Sequence, residues 1–372
     1  MNLAKRTRIH WVRYEPTFYY DDFLRVLAAE PGIYLLVHYG IPASVHYPWR
    51  TKLREGYSST CLPSEQRVDW RLLRTILQER DAFYVMAGWW TPTMVLALNL
   101  LILLGRRFAV FTDSPEVDGR RGGRIKRCIR RHWLRFVFRR AMAVLSTGNF
   151  GVRRVVQMGC PTDKAVDYPY FVSLPPVENA QRDRPNGDGP IRFFGSGRLV
   201  VRKGYDVALR ALAKVNREMP SGFFRFLLAG TGPEEDRLKV LAHQLGVHDR
   251  VDFLGWLEPT QICDVLSKAD AFVHPAVTLD PFAVSVAEAM AFGLPILGSN
   301  VCGCVADRVT DGVNGFVHEA GDSEQLADHM LRLLACPAVI PQMGQQSRRI
   351  AEQWPPSRGV EIIKGLVRSS AA

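Results

Sequence analysis

The chain has no apolar run long enough to cross a bilayer. Its most apolar stretch, "MVLALNLLILL" at residues 94–104, falls well short of the roughly 20 residues a spanning helix needs. It reads instead as a buried helix of a layered α/β fold. No signal peptide is expected, because the basic residues of "MNLAKRTRIHWV" are followed by no apolar stretch. Cysteine is sparse: of seven, only Cys302 and Cys304 are close. One CxC without a second cluster is not a zinc pattern, and an odd, scattered set suits reduced thiols in a cytosol. The GxxxxGK[ST] pattern of a P-loop is absent, and no DxD-like acidic pair stands out as a metal site. Acidic residues are missing from Gly119 to Thr162, a stretch with 12 Lys and Arg. The formal net charge is +11, so setting that stretch aside leaves the rest of the chain at about −1. The basicity is local and needs a local explanation.

What is present points to two α/β domains. A chain of 372 residues exceeds what one compact core usually accommodates. Apolar strand candidates alternate with helical patterns at 9–14, 33–39, 82–88, 108–114 and 141–148. Residues 173–190, "SLPPVENAQRDRPNGDGP", have no apolar period and read as a linker. The alternation restarts at 191–197, 224–230, 251–256, 271–276, 295–300 and 315–320, with helices from about 204, 233, 259 and 282 and a last one at 323–335. Unbroken apolar strands between helices indicate parallel sheets covered on both faces. The expected fold is two Rossmann-like, doubly wound domains facing across a cleft, with ligands beyond the carboxyl ends of the strands. The expected boundaries are 1–172, the linker, 191–338, and C-terminal helices at 339–372 that return toward the first domain.

Three stretches carry candidate chemistry. "GSGRLVVRKG" at 195–204 is a glycine turn into a helix, with Arg198 and Lys203 beside a helix N-terminus that itself favours anions. It suits a phosphate as well as a plain turn with solvated cations. "LLAGTGPEEDRL" at 227–238 turns at Gly230 into an acid-headed helix, where phosphate is less favoured. In "FLGWLEP" at 253–259, Trp256 can border a flat base or simply pack. "DPFAVSVAEAMAFGLPIL" at 280–297 is the most informative. Pro281 suits a first helical turn and Asp280 the cap before it. Glu288 lies inside that helix among Ala, Val, Met and Phe, where a carboxylate is costly unless something bonds to it. Ribose hydroxyls, a backbone amide or a core Arg would serve.

In order and spacing, these motifs, with "ADAFVHPA", "GCVADRVTDGVNGFV" and "GDSEQLADHMLRLL", make residues 191–334 resemble the nucleotide-sugar domain of retaining GT-B glycosyltransferases of the group 1 type (family 4). The first half resembles the acceptor domain of that family more loosely, at "YVMAGWWTPTMVLAL", which contains Gly88, and at "AMAVLSTGNFGVRRVVQMG". The resemblance implies a retaining enzyme that needs no cofactor or metal and moves a sugar from a UDP- or GDP-sugar to a lipid-linked or other glycan acceptor. It implies that Arg198 and Lys203, with Gly197 and Gly230, neutralise and admit the donor diphosphate. Glu288 would hold the ribose, Asp280 would touch the sugar, and the backbone of Phe282, Ala283 and Val284 would meet phosphate and sugar. Three departures stand out. Asp280 replaces the usual Glu, Ala283 replaces the usual Gly, and Asp113 stands where many members carry a His. Asp113 can assist as base, orient the acceptor, or only cap the turn after its strand.

The basic segment 119–143 fits a membrane-bound acceptor. On a helical wheel Ile125, Ile129, Trp133, Phe136 and Val137 share an arc of about 120° with most of the Arg residues elsewhere. An anionic bilayer at the cytoplasmic face is the expected partner, a solvated face the plain alternative. Nucleic acid is not expected, since the rest of the chain is nearly neutral. Two other functions stay open: a non-catalytic binder of sugar nucleotide or membrane, and another GT-B enzyme such as an epimerase.

Overall fold

A computed structural model describes residues 6–44, 54–61, 68–113, 124–175, 189–219 and 224–369. Most of the expected linker and residues 119–123 of the basic segment lie outside the described residues. The chain divides into two compact units, residues 1–171 with 356–372, and residues 172–355.

The first unit is built on a parallel sheet of β1 (Thr7–Arg13), β2 (Ile33–Tyr39), β3 (Ser58–Cys61), β4 (Phe83–Ala87), β5 (Arg107–Thr112), β6 (Val144–Ser146) and β7 (Ala165–Asp167), in the spatial order β3-β2-β1-β4-β5-β6-β7. Its helices are α1 (Phe18–Ala28), α2 (Trp70–Gln78), α3 (Pro92–Leu103), α4 (Arg124–Arg140) and α5 (Gly148–Gln157). Successive side chains of a strand point to opposite faces, and Ile9, His10, Trp11 and Val12 are all buried. Both faces of β1 are therefore covered, which is why its sequence lacks alternation. Two strands escape sequence reading. β3, "SSTC", lies at the sheet edge and buries no residue fully, and β7 is three residues long.

The second unit contains β8 (Ile191–Ser196), α6 (Tyr205–Glu218), β9 (Phe224–Ala229), α7 (Glu235–Gln244), β10 (Val251–Gly255), α8 (Pro259–Lys268), β11 (Ala271–His274), α9 (Val284–Ala291), β12 (Ile296–Ser299), α10 (Gly303–Arg308), β13 (Gly315–His318), α11 (Ser323–Ala335) and α12 (Val339–Ala351). The sheet is parallel, in the order β10-β9-β8-β11-β12-β13. In both sheets the winding reverses beside the first strand, between β1 and β4 and between β8 and β11. Ligands of doubly wound sheets bind at that switch point, beyond the carboxyl ends.

Two expectations are corrected. Only α13 (Pro356–Arg368) joins the first unit, where Tyr168 Oη donates to the Gly359 carbonyl at 3.3 Å and Lys364 pairs with Glu30 at 2.5 Å. α12 stays in the second unit. A Cβ on Gly344 would sit 2.0 Å from the Gly293 carbonyl oxygen, so glycine permits the close approach of α12 to the end of α9. The apolar stretch 94–104 is also not fully buried. Met94, Ala97, Leu98 and Leu101 face the core, while Leu103 is 81% exposed. Among the described residues no helix is long and apolar enough to cross a membrane.

Candidate functional site

Of the site residues expected in the second unit, Gly197 lies against Gly230 and Lys203 against Asp280 near its switch point. β8 ends at Ser196 and the chain turns through Gly197. The next turn, after β9, lies directly against it. Gly230 has φ 128°, and a Cβ there would stand 1.9 Å from the Gly197 carbonyl oxygen. Glycine at 230 is therefore dictated by backbone stacked on backbone. Arg198 follows, half-buried, with no side-chain hydrogen bond or ion pair among the described residues. Lys203 closes a short 3₁₀ turn at Val201–Lys203, and Gly204, at φ 67°, then starts α6.

Lys203 does not stand free. Its Nζ lies 2.5 Å from Asp280 Oδ2, and both side chains are nearly buried. The same oxygen is 3.0 Å from His274 Nε2, on a ring with no exposed surface at the last position of β11. Arg202 Nη1 approaches Asp280 Oδ1 at 3.6 Å from a more exposed position. Burial alone would raise the Asp280 pKa. The Lys203 charge and the His274 hydrogen bond overcome that and hold the carboxyl well below its usual range. Burial, helped by the Lys203 charge, lowers the His274 pKa, so the ring is neutral.

Asp280 is not the helix cap that its position suggested. α9 begins at Val284, its N-cap is Ala283, and no side chain caps it. Pro281 lies before the helix, and the Asp280 backbone is engaged with the strand side. Asp280 N–H donates to the Val301 carbonyl at 3.1 Å and Gly303 N–H to the Asp280 carbonyl at 2.9 Å. The amides of Val284 and Ser285 have no hydrogen-bond acceptor among the described residues. Such an open N-terminus carries partial positive charge. The opposite end of α9 is closed: Arg348 Nη1 donates to the Ala291 carbonyl and Nη2 to the Pro175 carbonyl at 3.0 Å. Phe282 is buried, with the Arg308 guanidinium 4.9 Å from its ring centroid and 4.6 Å from that of Trp354. What Phe282 can offer a ligand is its backbone.

Glu288 sits one turn into α9, part-exposed, and its carboxylate has no hydrogen-bond or ion-pair partner among the described residues. Burial pushes its pKa up to about 7. The backbone amide or core Arg that would have made it structural is not there. Its charge reaches Cys263 on α8, whose thiol is raised by burial and then by Glu288. Trp256, half-buried past β10, donates from Nε1 to Glu258 Oε1 at 3.0 Å. His274 was not singled out from sequence. The signal was available, since "AFVHPA" puts one titratable side chain at the end of an apolar strand.

Asp113 and Gly88 belong to the first unit. Asp113 is exposed just past β5 and accepts from the Tyr170 hydroxyl, while Thr147 donates to its carbonyl. Gly88 follows β4 at φ 97°. The basic helix α4 buries Leu134, Val137 and Phe138 against the sheet. Trp133 is partly buried and donates to Asn99 Oδ1 of α3 at 3.1 Å. The expected apolar arc is thus divided: Val137 is core, whereas Ile129 is 64% and Phe136 45% exposed.

The chain was compared with known proteins. Residues 177–353 match the sequence model of the family "Glycosyl transferases group 1". A lipopolysaccharide core biosynthesis glycosyltransferase of Rhizobium meliloti is 33% identical over 159 residues, 43% of this chain and 43% of that protein. An amylovoran biosynthesis glycosyltransferase of Erwinia amylovora is 28% identical over 185 residues, 48% and 44% of the two chains. The chain spans about half the length of the curated relatives it matches. Among solved structures, Anabaena HepE in complex with UDP superposes with a TM-score of 0.76 at 16% identity, covering 98% of this chain and all of that one. The lipopolysaccharide outer core galactosyltransferase WaaB gives 0.69 at 15% identity over 98% of this chain and 100% of its own. Just under half of the chain thus resembles the glycosyl transferases group 1 family, and the whole chain has the GT-B fold.

Proposed function

We propose that the chain is a retaining glycosyltransferase that takes a sugar from a UDP- or GDP-sugar. The observation that carries this reading is Glu288, a part-exposed carboxylate on an apolar helix with no partner among the described residues. A largely desolvated acid without a partner is costly to the fold, and a pair of vicinal hydroxyls would supply the hydrogen bonds it lacks. The diphosphate would then meet Lys203, Arg198 and the open N-terminus of α9. As the glycosidic bond breaks, negative charge grows on the leaving diphosphate. Fixed cations and amides aimed at it stabilise that charge and can do so without a divalent metal. In a retaining reaction the donor phosphate itself takes the acceptor proton, and Asp113 orients the acceptor or assists as base. The test is thermal stabilisation by UDP, GDP and their sugars. Glu288→Ala is expected to remove the shift without changing the melting behaviour of the free protein for the worse. Unchanged nucleotide binding in that variant would sink the reading.

Relatives named for lipopolysaccharide core and amylovoran biosynthesis support a lipid-linked glycan acceptor in surface polysaccharide synthesis. The surface of α4 supports a place on the anionic cytoplasmic face of the membrane. Exposed Ile129 and Phe136 stand among Arg131, Arg135, Arg139 and Arg140, and Leu96 and Leu103 of α3 are exposed as well. Apolar side chains among cations insert into an anionic interface, where each cation adds about 1 kcal/mol. Replacing Arg130, Arg131 and Arg135 with Glu is expected to release the protein from phosphatidylserine vesicles in a sedimentation assay. Equal sedimentation of the variant would remove the membrane claim and leave the donor site standing.

A further inference from the structure

We propose that His274 is a positioning residue: through Asp280 it fixes the ammonium group of Lys203 for the donor diphosphate. The inference rests on the donor-site reading above. Three elements meet here: the turn before α6 brings Lys203, the end of β11 brings His274, and the segment before α9 brings Asp280. Asp280 Oδ2 receives Lys203 Nζ at 2.5 Å and His274 Nε2 at 3.0 Å. An ionised carboxylate only accepts, so the hydrogen of His274 lies on Nε2 and the imidazole donates. Its Nδ1 is buried and meets no hydrogen-bond partner. A second proton there would have no acceptor and would face Lys203 and Arg202, so the ring serves as a neutral donor.

The ring is needed because of what it fixes. A lysine carries about 2 kcal/mol of side-chain rotamer entropy. A carboxylate free to turn about its side-chain torsions would pass that freedom on to the ammonium it pairs with. The backbone of Asp280 is tied to Val301 and Gly303, but among the described residues its carboxyl has one neutral, fully buried hydrogen-bond partner, His274. Arg202, the second cation beside Asp280, is 45% exposed and 3.6 Å away, so solvent screens it. His274, immobile on a core strand, sets the carboxylate plane. The carboxylate then holds Lys203 in one place, and a prepositioned cation loses less freedom when an anion arrives.

The experiment uses the full chain, with UDP and GDP as probes and calorimetric binding as readout. Three variants are compared: Lys203→Met, His274→Phe, which keeps the volume and removes the donor, and His274→Gln, whose amide N–H reaches the same oxygen. The expected result is a loss of about tenfold in nucleotide affinity for His274→Phe, as for one lost ordering contact. His274→Gln is expected within about threefold of the parent chain. In a Lys203→Met background, His274→Phe should cost nothing more, because the effect passes through the lysine. A parent-like His274→Phe, a Gln variant as weak as the Phe variant, or losses that add in the double variant would each overturn the inference. If Lys203→Met itself binds both nucleotides normally, the donor-site reading fails, and the positioning role with it.

Discussion

The two units are wound in the same strand order, yet their switch points are furnished in opposite ways. Past β8 and β11, glycines keep backbones close and the side chains that remain are Arg198, Lys203, His274 and Asp280. β1 ends at Arg13, and the chain continues through Tyr14, Glu15 and soon Tyr19 and Tyr20. The Arg13 guanidinium lies 3.9 Å from the Tyr20 ring centroid and donates to Thr17 Oγ1 at 3.3 Å. Tyr20 continues into an aromatic layer with Trp11, Phe23, Phe111 and Tyr170. Topology supplies the same location twice. In the second unit it presents a paired ammonium and an unpaired acid; in the first a cation is held against rings.

The sharpest way to break this contrast is to remove one half of the Lys203–Asp280 pair. Lys203→Met or Asp280→Asn should each cost about 3–5 kcal/mol of stability, because a buried charge is left alone. The double variant should lose much less than the sum, as read by urea denaturation. Additive losses would mean that the pair is not coupled. Gly230→Ala comes next. The left-handed backbone and the close Gly197 carbonyl should destabilise the second unit by about 2 kcal/mol or more. Nucleotide binding should fall in the same variant, and a normal melting curve would contradict the stacked turns.

A smaller effect depends on pH. Glu288 ionises near 4.5 in an unfolded chain and near 7 in the fold. Between those values the folded protein binds more protons, so this group makes stability fall as pH rises from about 4.5 to about 7 and level off above. Hydroxyl donors favour the ionised form. Nucleotide affinity should therefore climb as pH passes through about 7, by at most about tenfold per unit. Glu288→Gln should flatten both curves; a slope that persists belongs to another group. The smallest effect is expected in the first unit. Arg13→Met should cost about 1 kcal/mol, the worth of a cation over a ring, and leave UDP and GDP binding unchanged. A loss of nucleotide affinity there would erase the distinction between the two switch points.

These contrasts also mark what sequence alone can tell. The strands of both cores were legible because burial on two faces makes them continuously apolar. The edge strand β3 was not, because "SSTC" looks like a loop without its neighbour. Glu288 was legible as an anomaly, an acid on an apolar helix. The plain alternative for Asp280, a helix cap, failed although its local sequence, Asp before Pro, has a sufficient local explanation. Its real partners lie 77 residues away at Lys203 and on β11 at His274. Likewise α12 looks like part of a C-terminal pair, and distant contacts such as Gly344 with Gly293 show which core it serves.

Arg348, on that same helix, has one more effect. It places a permanent cation against the carbonyl end of α9, 57 residues away in sequence. A short helix is an oriented row of dipoles, and quenching its negative pole leaves the positive one less opposed. Seen this way, α12 works as an electrical ground: a residue at one end of α9 strengthens the field that Val284 and Ser285 present at the other.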